Sequence, residues 1–185
     1  MARRLIFLLA GVGGLVVVLA IAFALVAGTF RAPSESMTPT LGVGARFTVL
    51  KVGDPGVGDV VVVHPPAAVE SDANEMCGVP PEEGQMCAKP RPERADVQFV
   101  QRVVAVGGDR ISMRGGKVVR NGKRETTEGP VECEDDGCEF PQEITVPKGH
   151  LFLLGDNRGA SDDSRFWGPV PEDWLVGKLW FVYKD

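Results

Sequence analysis

Two serines separated by one residue, Ser34 and Ser36, lie in the segment Pro33-Ser34-Glu35-Ser36-Met37-Thr38-Pro39-Thr40-Leu41. A serine hydroxyl attacks a carbonyl when a base takes its proton and fixed donors receive the oxyanion. The same residue types also build ordinary polar turns. A second polar run, Gly155-Asp156-Asn157-Arg158-Gly159-Ala160-Ser161-Asp162-Asp163-Ser164-Arg165, follows an apolar stretch and precedes Trp167-Gly168-Pro169. Its acids, Asp156, Asp162 and Asp163, are expected to pair with Arg158 and Arg165 rather than to hold a metal. The usual base is histidine, and this chain has His64 and His150, each at the end of a strand-like run. Lysine serves when burial lowers its pKa, but the lysines here lie mostly in turns and loops.

The chain of 185 residues is long enough for one compact domain or two small ones. Its net charge of −5, with two of its 20 basic residues at positions 3 and 4, argues against nucleic acid as a partner. The 23 glycines and 14 prolines point to many turns and short strands.

After the basic start Arg3-Arg4, residues 5–27 carry no charged side chain. As a helix this run would reach about 35 Å, enough for a bilayer core of about 30 Å. It is longer than the apolar core of a cleaved secretory signal, so a retained single-pass anchor is expected over residues 1–28. The arginines place the N-terminus in the cytoplasm and the remainder, 29–185, outside.

Residues 46–52 alternate and read as a strand. Val60-Val61-Val62-Val63 reads as a strand buried on both faces. Further strands are expected over 97–106, 150–154 and 175–183. A hairpin is expected over 110–120, with a turn signal at Asn121-Gly122. Two irregular acidic stretches, at about 65–96 and 126–142, read as surface insertions. They hold the cysteines as two local pairs, 77 with 87 and 133 with 138, which outside the cytoplasm suit disulfides better than zinc. The fold class expected is mainly β: a transmembrane helix followed by an external antiparallel β domain.

In order along the chain, the residues resemble the bacterial type I signal peptidases, the membrane-bound Ser/Lys endopeptidases. The segment from Pro33 to Leu41 resembles the family's nucleophile box, and Gly58-Asp59-Val60-Val61-Val62 its second. Gln101-Arg102-Val103 with Gly107-Gly108-Asp109 resembles the third. Gly155-Asp156-Asn157-Arg158, Ser161 and Asp163-Ser164-Arg165 resemble the last. The resemblance implies removal of signal peptides from exported preproteins after small residues at −1 and −3. It places the chain in the bacterial cell membrane, with preprotein signal peptides, membrane lipid and the secretion machinery as partners, and with no cofactor. It implies Ser36 as nucleophile, with its own N–H and the Ser34 hydroxyl as oxyanion donors. Met37 would wall the small-residue pocket, Ser161 would orient the base, and Asp163 with Arg165 would brace that loop.

The resemblance breaks at the general base. The family's lysine precedes the third-box arginine, where this chain has Gln101, and an amide takes no proton near neutral pH. Two readings of the departure stand beside each other. Another group, such as Lys89 or a histidine, reaches Ser36. Alternatively, the chain is a catalytically impaired homologue that binds signal peptides or assists a partner peptidase. An anchored β module of unrelated, adhesive or structural role would require all four boxes to be coincidence.

Overall fold

The computed structural model describes residues 2–70, 76–126, 133 and 136–183. The chain begins with helix α1 (Ala2–Val26). It passes without a loop into strand β1 (Ala27–Arg31), and the Lys51 N–H donates to the Val26 carbonyl at 2.8 Å to hold the junction. Counted over residues described with side chains, which in α1 begin at 14, no helix is long and apolar enough to cross a membrane. The first part of the span anticipated over residues 5–27 lies outside that count.

The remaining strands follow in order. They are β2 (Arg46–Leu50), β3 (Val60–Val63), β4 (Phe99–Val106), β5 (Arg110–Arg114), β6 (Lys117–Arg120), β7 (Lys123–Arg124), β8 (Phe140–Thr145), β9 (His150–Leu154), β10 (Val170–Pro171) and β11 (Leu175–Val182). They form a seven-stranded sheet ordered β1-β2-β11-β3-β4-β9-β10 and a four-stranded sheet ordered β7-β6-β5-β8. Every pairing is antiparallel. The chain is therefore mainly β.

The valine run shows why. In β3 all four side chains are buried, and successive side chains of a strand point to opposite faces. Val60 and Val62 join one cluster with Met37, Leu41, Phe47, Val49 and Val100. Val61 and Val63 join another with Val103, Leu151, Leu153, Trp167 and Val170. A third cluster, including Val104, Ile111, Met113, Ile144 and Phe152, lies between the two sheets. β3 and β4 are thus central strands with apolar side chains on both faces, as β-branched residues favour.

Four strands, β1, β7, β8 and β10, were not evident in the sequence. Of these, β8 takes in the end of the stretch expected to be irregular up to 142, while residues 127–132, 134 and 135 of that stretch lie outside the described residues. Among its described residues the 65–96 stretch has no strand of its own, but it is more than a surface insertion. Its neck is closed where Ala67 N–H donates to Glu93 O at 2.9 Å and Ala95 N–H to Pro65 O at 2.8 Å. Met86 and Cys87 within it are fully buried. Cys77 is bonded to Cys87 and Cys133 to Cys138, and no cysteine is free.

Candidate active site

The Ser34–Ser36 segment follows β1 and leads into a turn that packs on one face of the large sheet. Within it the Thr38 N–H donates to the Glu35 carbonyl at 2.9 Å and the Leu41 N–H to the Met37 carbonyl at 2.8 Å. Met37 and Leu41 are buried and anchor the turn from below, which leaves Ser34 exposed and Ser36 half-buried. The Ser34 hydroxyl donates to Ser36 Oγ at 3.1 Å, and the Ser36 N–H lies 3.5 Å from Ser34 Oγ. From the other side the Asn157 N–H donates to the Ser36 carbonyl at 2.9 Å.

These contacts border a cleft of about 340 Å³. Ser34 and Ser36 line one side, residues 98–101 a second, and Ala160 with Asp162 a third. The cleft exists because β9 stops early. β9 pairs with β4 only from Arg102 onward, opposite Leu154, while β3 covers the other edge of β4 back to Phe99. Val103 exchanges hydrogen bonds with Gly58 and Asp59 on the β3 side. By the alternation of an antiparallel ladder, the peptide groups of Val100 and Gln98 turn the other way, to an edge that β9 leaves open.

Gln101 is almost fully buried. Its Nε2 donates to the Asp162 carbonyl at 3.1 Å and to Ser161 Oγ at 3.4 Å. Because a carbonyl can only accept, the Asp162 contact fixes which end of the amide is which. Oε1 is left buried with no hydrogen-bond partner. Among the described residues no hydrogen bond joins Ser36 to Gln101 or to any lysine or histidine nitrogen. His64 stands one side chain behind the cleft: its Nδ1–H donates to Ala95 O at 3.0 Å, and Nε2 lies 3.5 Å from Nε2 of Gln98. His150 Nδ1 is 3.0 Å from the Lys148 carbonyl, and Lys89 is exposed.

The loop carrying Ser161 is held by buried charge. Arg165 forks onto Asp163 with contacts of 2.7 and 2.9 Å, and also donates to the carbonyls of Gly137, Arg158 and Ser161. Asp163 caps the short helix α2 (Ser164–Trp167) and accepts the Gly155 N–H at 3.1 Å. Gly155 is required by space, since a Cβ there would meet Ser161 and the Ser36 carbonyl at once. Such fully hydrogen-bonded buried pairs fix geometry, as removing one partner would strand the other's charge.

Two ion pairs differ from those anticipated for this loop. Asp156 pairs with Arg102, in a fork of 2.7 and 2.6 Å, and Arg158 pairs with Glu125 at 2.8 Å. Arg102 and Asp156 also hold the Thr40 hydroxyl, so they fasten the segment from Pro33 to Leu41 to β4 and to the 155–165 loop. The Asp156 hydrogen bond raises the Arg102 pKa further, against the opposing effect of burial, and the guanidinium stays charged. The signal was present in the sequence, because Thr40, Arg102 and Asp156 each lie in one of the polar motifs. Their mutual contact needed the fold.

Ser34, Ser36, Gln101, Ser161 and Asp162 thus converge on one cleft, with Asp163 and Arg165 buried behind it. Met37 does not line the cleft; it is fully buried in the cluster that also holds Val100, which does. Among the described residues no group of three or more His, Cys, Asp or Glu could hold a metal ion.

Ser36 thus stands beside a second hydroxyl in a cleft along an open strand edge, where an extended peptide could add as a strand. The chain belongs to the signal peptidase family, peptidase S26, whose model matches residues 4–184. It is 33% identical over 159 residues to the probable signal peptidase I-1 of Synechocystis sp., covering 82% of this chain and 68% of that one. It is 33% identical over 170 residues to signal peptidase I of Leptolyngbya laminosa, covering 89% and 73%. Against the probable thylakoidal processing peptidase 2 of Arabidopsis thaliana it is 36% identical over 160 residues, covering 82% of this chain but 36% of that longer one. The crystal structure of a signal peptidase I from Enterococcus faecalis overlaps 69% of this chain and 98% of its own at 20% identity, with a TM-score of 0.45.

Proposed function

We propose that this chain is a membrane-bound serine endopeptidase that removes N-terminal signal peptides from exported preproteins after small residues. The observation that carries the reading is the placement of Ser36 and Ser34 across from the open edge at residues 98–101, in a member of the signal peptidase family. An extended signal peptide would add to that edge as a strand and present its scissile carbonyl to Ser36. The Ser36 N–H and the Ser34 hydroxyl would receive the oxyanion. Ser161 would orient the group at position 101, Asp163 and Arg165 would brace that loop, and Met37 would back the wall formed by Val100.

The anchor is α1. Its large described apolar side chains from Leu15 to Leu25 are 45 to 73% exposed and touch little of the β domain, which supports lipid as their solvent. On this reading residues 1–28 are the cytoplasmic tip and the anchor, and 29–185 form an extracytoplasmic domain at the bacterial cell membrane. The secretion machinery would then deliver substrates at the level of the cleft.

Gln101 favours a second reading, a catalytically impaired homologue that binds signal peptides or assists a partner peptidase. Its amide is a donor to Ser161 and Asp162, where a base would need a lone pair. The decisive experiment is cleavage of a preprotein with an Ala-x-Ala site in detergent or lipid. We expect the wild type to cut, Ser36→Ala to be silent, and Gln101→Lys to gain little, far less than the about 10²–10⁴-fold that a general base is worth, because another group already serves as base. A silent wild type with an active Gln101→Lys variant would instead establish the second reading.

A further inference from the structure

We propose that the Ser36 cleft selects peptides carrying a basic side chain beside the cleavage site, and that Asp162 reads that charge. The inference deepens the peptide-site reading above and rests on it. Asp162 stands between two buried neighbours, Ser161 and Asp163, yet is itself exposed at the cleft. Its backbone carbonyl is held by Gln101 Nε2, which fixes the residue at the rim. Among the described residues its carboxylate has no hydrogen bond and no ion pair.

The charges around it offer no compensation. Arg102 is committed to Asp156, Arg165 to Asp163 and Arg158 to Glu125. The described residues that line the cleft include no lysine or arginine. Glu35, between the cleft residues Ser34 and Ser36, is also exposed and adds a second negative charge to that segment.

An independent feature points the same way. Gln101 lines the cleft, is 1% exposed, and keeps Oε1 buried without a partner. A buried acceptor left unfilled is costly, and a donor of a bound peptide, neutral or charged, would relieve it once the side chain shifts to meet it. The cleft therefore has an exposed carboxylate at its rim, and its described lining residues include no cation to balance it. A peptide with lysine or arginine flanking the small −1 and −3 residues meets those demands; an acidic one is repelled.

The test uses full-length Ser36→Ala protein in detergent micelles, so that binding is read without cleavage. The probes are fluorescent peptides spanning an Ala-x-Ala site, identical except for Lys, Gln or Glu at −2, with a second set varied at +1. In one of the two sets the Lys peptide is expected to bind about three- to tenfold tighter than the Gln peptide at low salt, with the Glu peptide weakest. The preference should collapse at about 1 M salt, where the screening length is only about 3 Å. Asp162→Asn should remove most of it and Glu35→Gln a smaller part. Equal binding of Lys, Gln and Glu peptides in both sets overturns the proposal and leaves the peptide site standing. So does a preference that survives both substitutions together. Failure of every peptide to bind overturns the peptide site itself, and the charge preference with it.

Discussion

Asp109 ends the turn after β4, and its carboxylate closes that turn on itself. It accepts from the Val106 N–H at 3.0 Å and the Asn121 side chain at 2.6 Å, and faces Arg120 at 3.4 Å. Burial alone would push the carboxyl pKa up, but the Val106, Asn121 and Arg120 contacts together outweigh it, and the folded-state pKa lies below the ordinary carboxylate value. A depressed folded pKa adds stability that is present above the unfolded pKa of about 4 and is lost as pH falls through the folded value. Urea unfolding of the wild type should therefore weaken on going from about pH 6 to pH 3. In Asp109→Asn the part of that slope due to this group should be gone, with lower stability at pH 6 and a smaller loss on acidification. An unchanged slope would mean that the turn does not hold the proton equilibrium as its contacts imply. The turn bears on function because it ends the strand that carries Gln101 and Arg102.

At the level of elements, the 155–168 loop is where scaffold and site meet, and both disulfide segments reach it through one residue. Arg165 donates to the Gly137 carbonyl inside the 133–138 segment, while its own carbonyl accepts the Cys87 N–H at 2.9 Å. Gly155 is the tightest point of the same loop. Gly155→Ala should push Ser161 and the Ser36 segment apart, because the added methyl has no free direction. Overpacking of this kind costs about 1–3 kcal/mol. We expect a lowered urea midpoint and, at temperatures where the variant is fully folded, cleavage reduced by more than tenfold (about 1.4 kcal/mol). Full activity in a folded Gly155→Ala protein would show that the contact is slack. The sequence made part of this legible. Alternation in β2, the valine run of β3 and the Asn121-Gly122 turn are local signals, and Asn121 and Gly122 do take positive φ. β1 shares only Ala27 with the apolar run and its remaining Gly28-Thr29-Phe30-Arg31 has no apolar alternation to mark it, and β8 begins in an acidic stretch with no clear period. Neither is strand-like until β2 or β5 supplies its partner. For the site, the polar residues were visible as motifs. Gln98 and the open edge were not, because they depend on where β9 stops pairing, and Asp162 is one acid among three until burial separates it from Asp156 and Asp163.

On the scale of the whole molecule, what remains to be placed is the β domain against the lipid. Helix α1 and strand β11 meet at an aromatic cluster. The Phe23 and Trp180 rings are 5.4 Å apart edge to face, and Phe181 and Tyr183 continue the contact. Two successive exposed aromatics, Trp180 and Phe181, would be impossible in a regular strand that buries one face. The register of β11 on β2 shifts between Leu179 and Phe181, and Trp180 is the extra residue of that bulge. A bulge re-aims a side chain, and here it turns Trp180 toward the last turns of the helix. If α1 is the anchor proposed above, Trp180 lies at the headgroup level, where amphipathic rings prefer to sit. The chain has three tryptophans, and Trp167 is fully buried while Trp174 packs against the same cluster. Protein reconstituted into vesicles with brominated acyl chains should then show quenched tryptophan emission, and Trp180→Phe should remove most of that quenching. Quenching of equal extent in the variant would place another tryptophan at the lipid, and no quenching in either protein would lift the β domain clear of the surface. Ser36 lies ten residues beyond the end of α1, so the chain holds it within about 35 Å of that end. A signal peptide emerging from the bilayer could then reach the open edge of β4 without its apolar segment leaving the lipid.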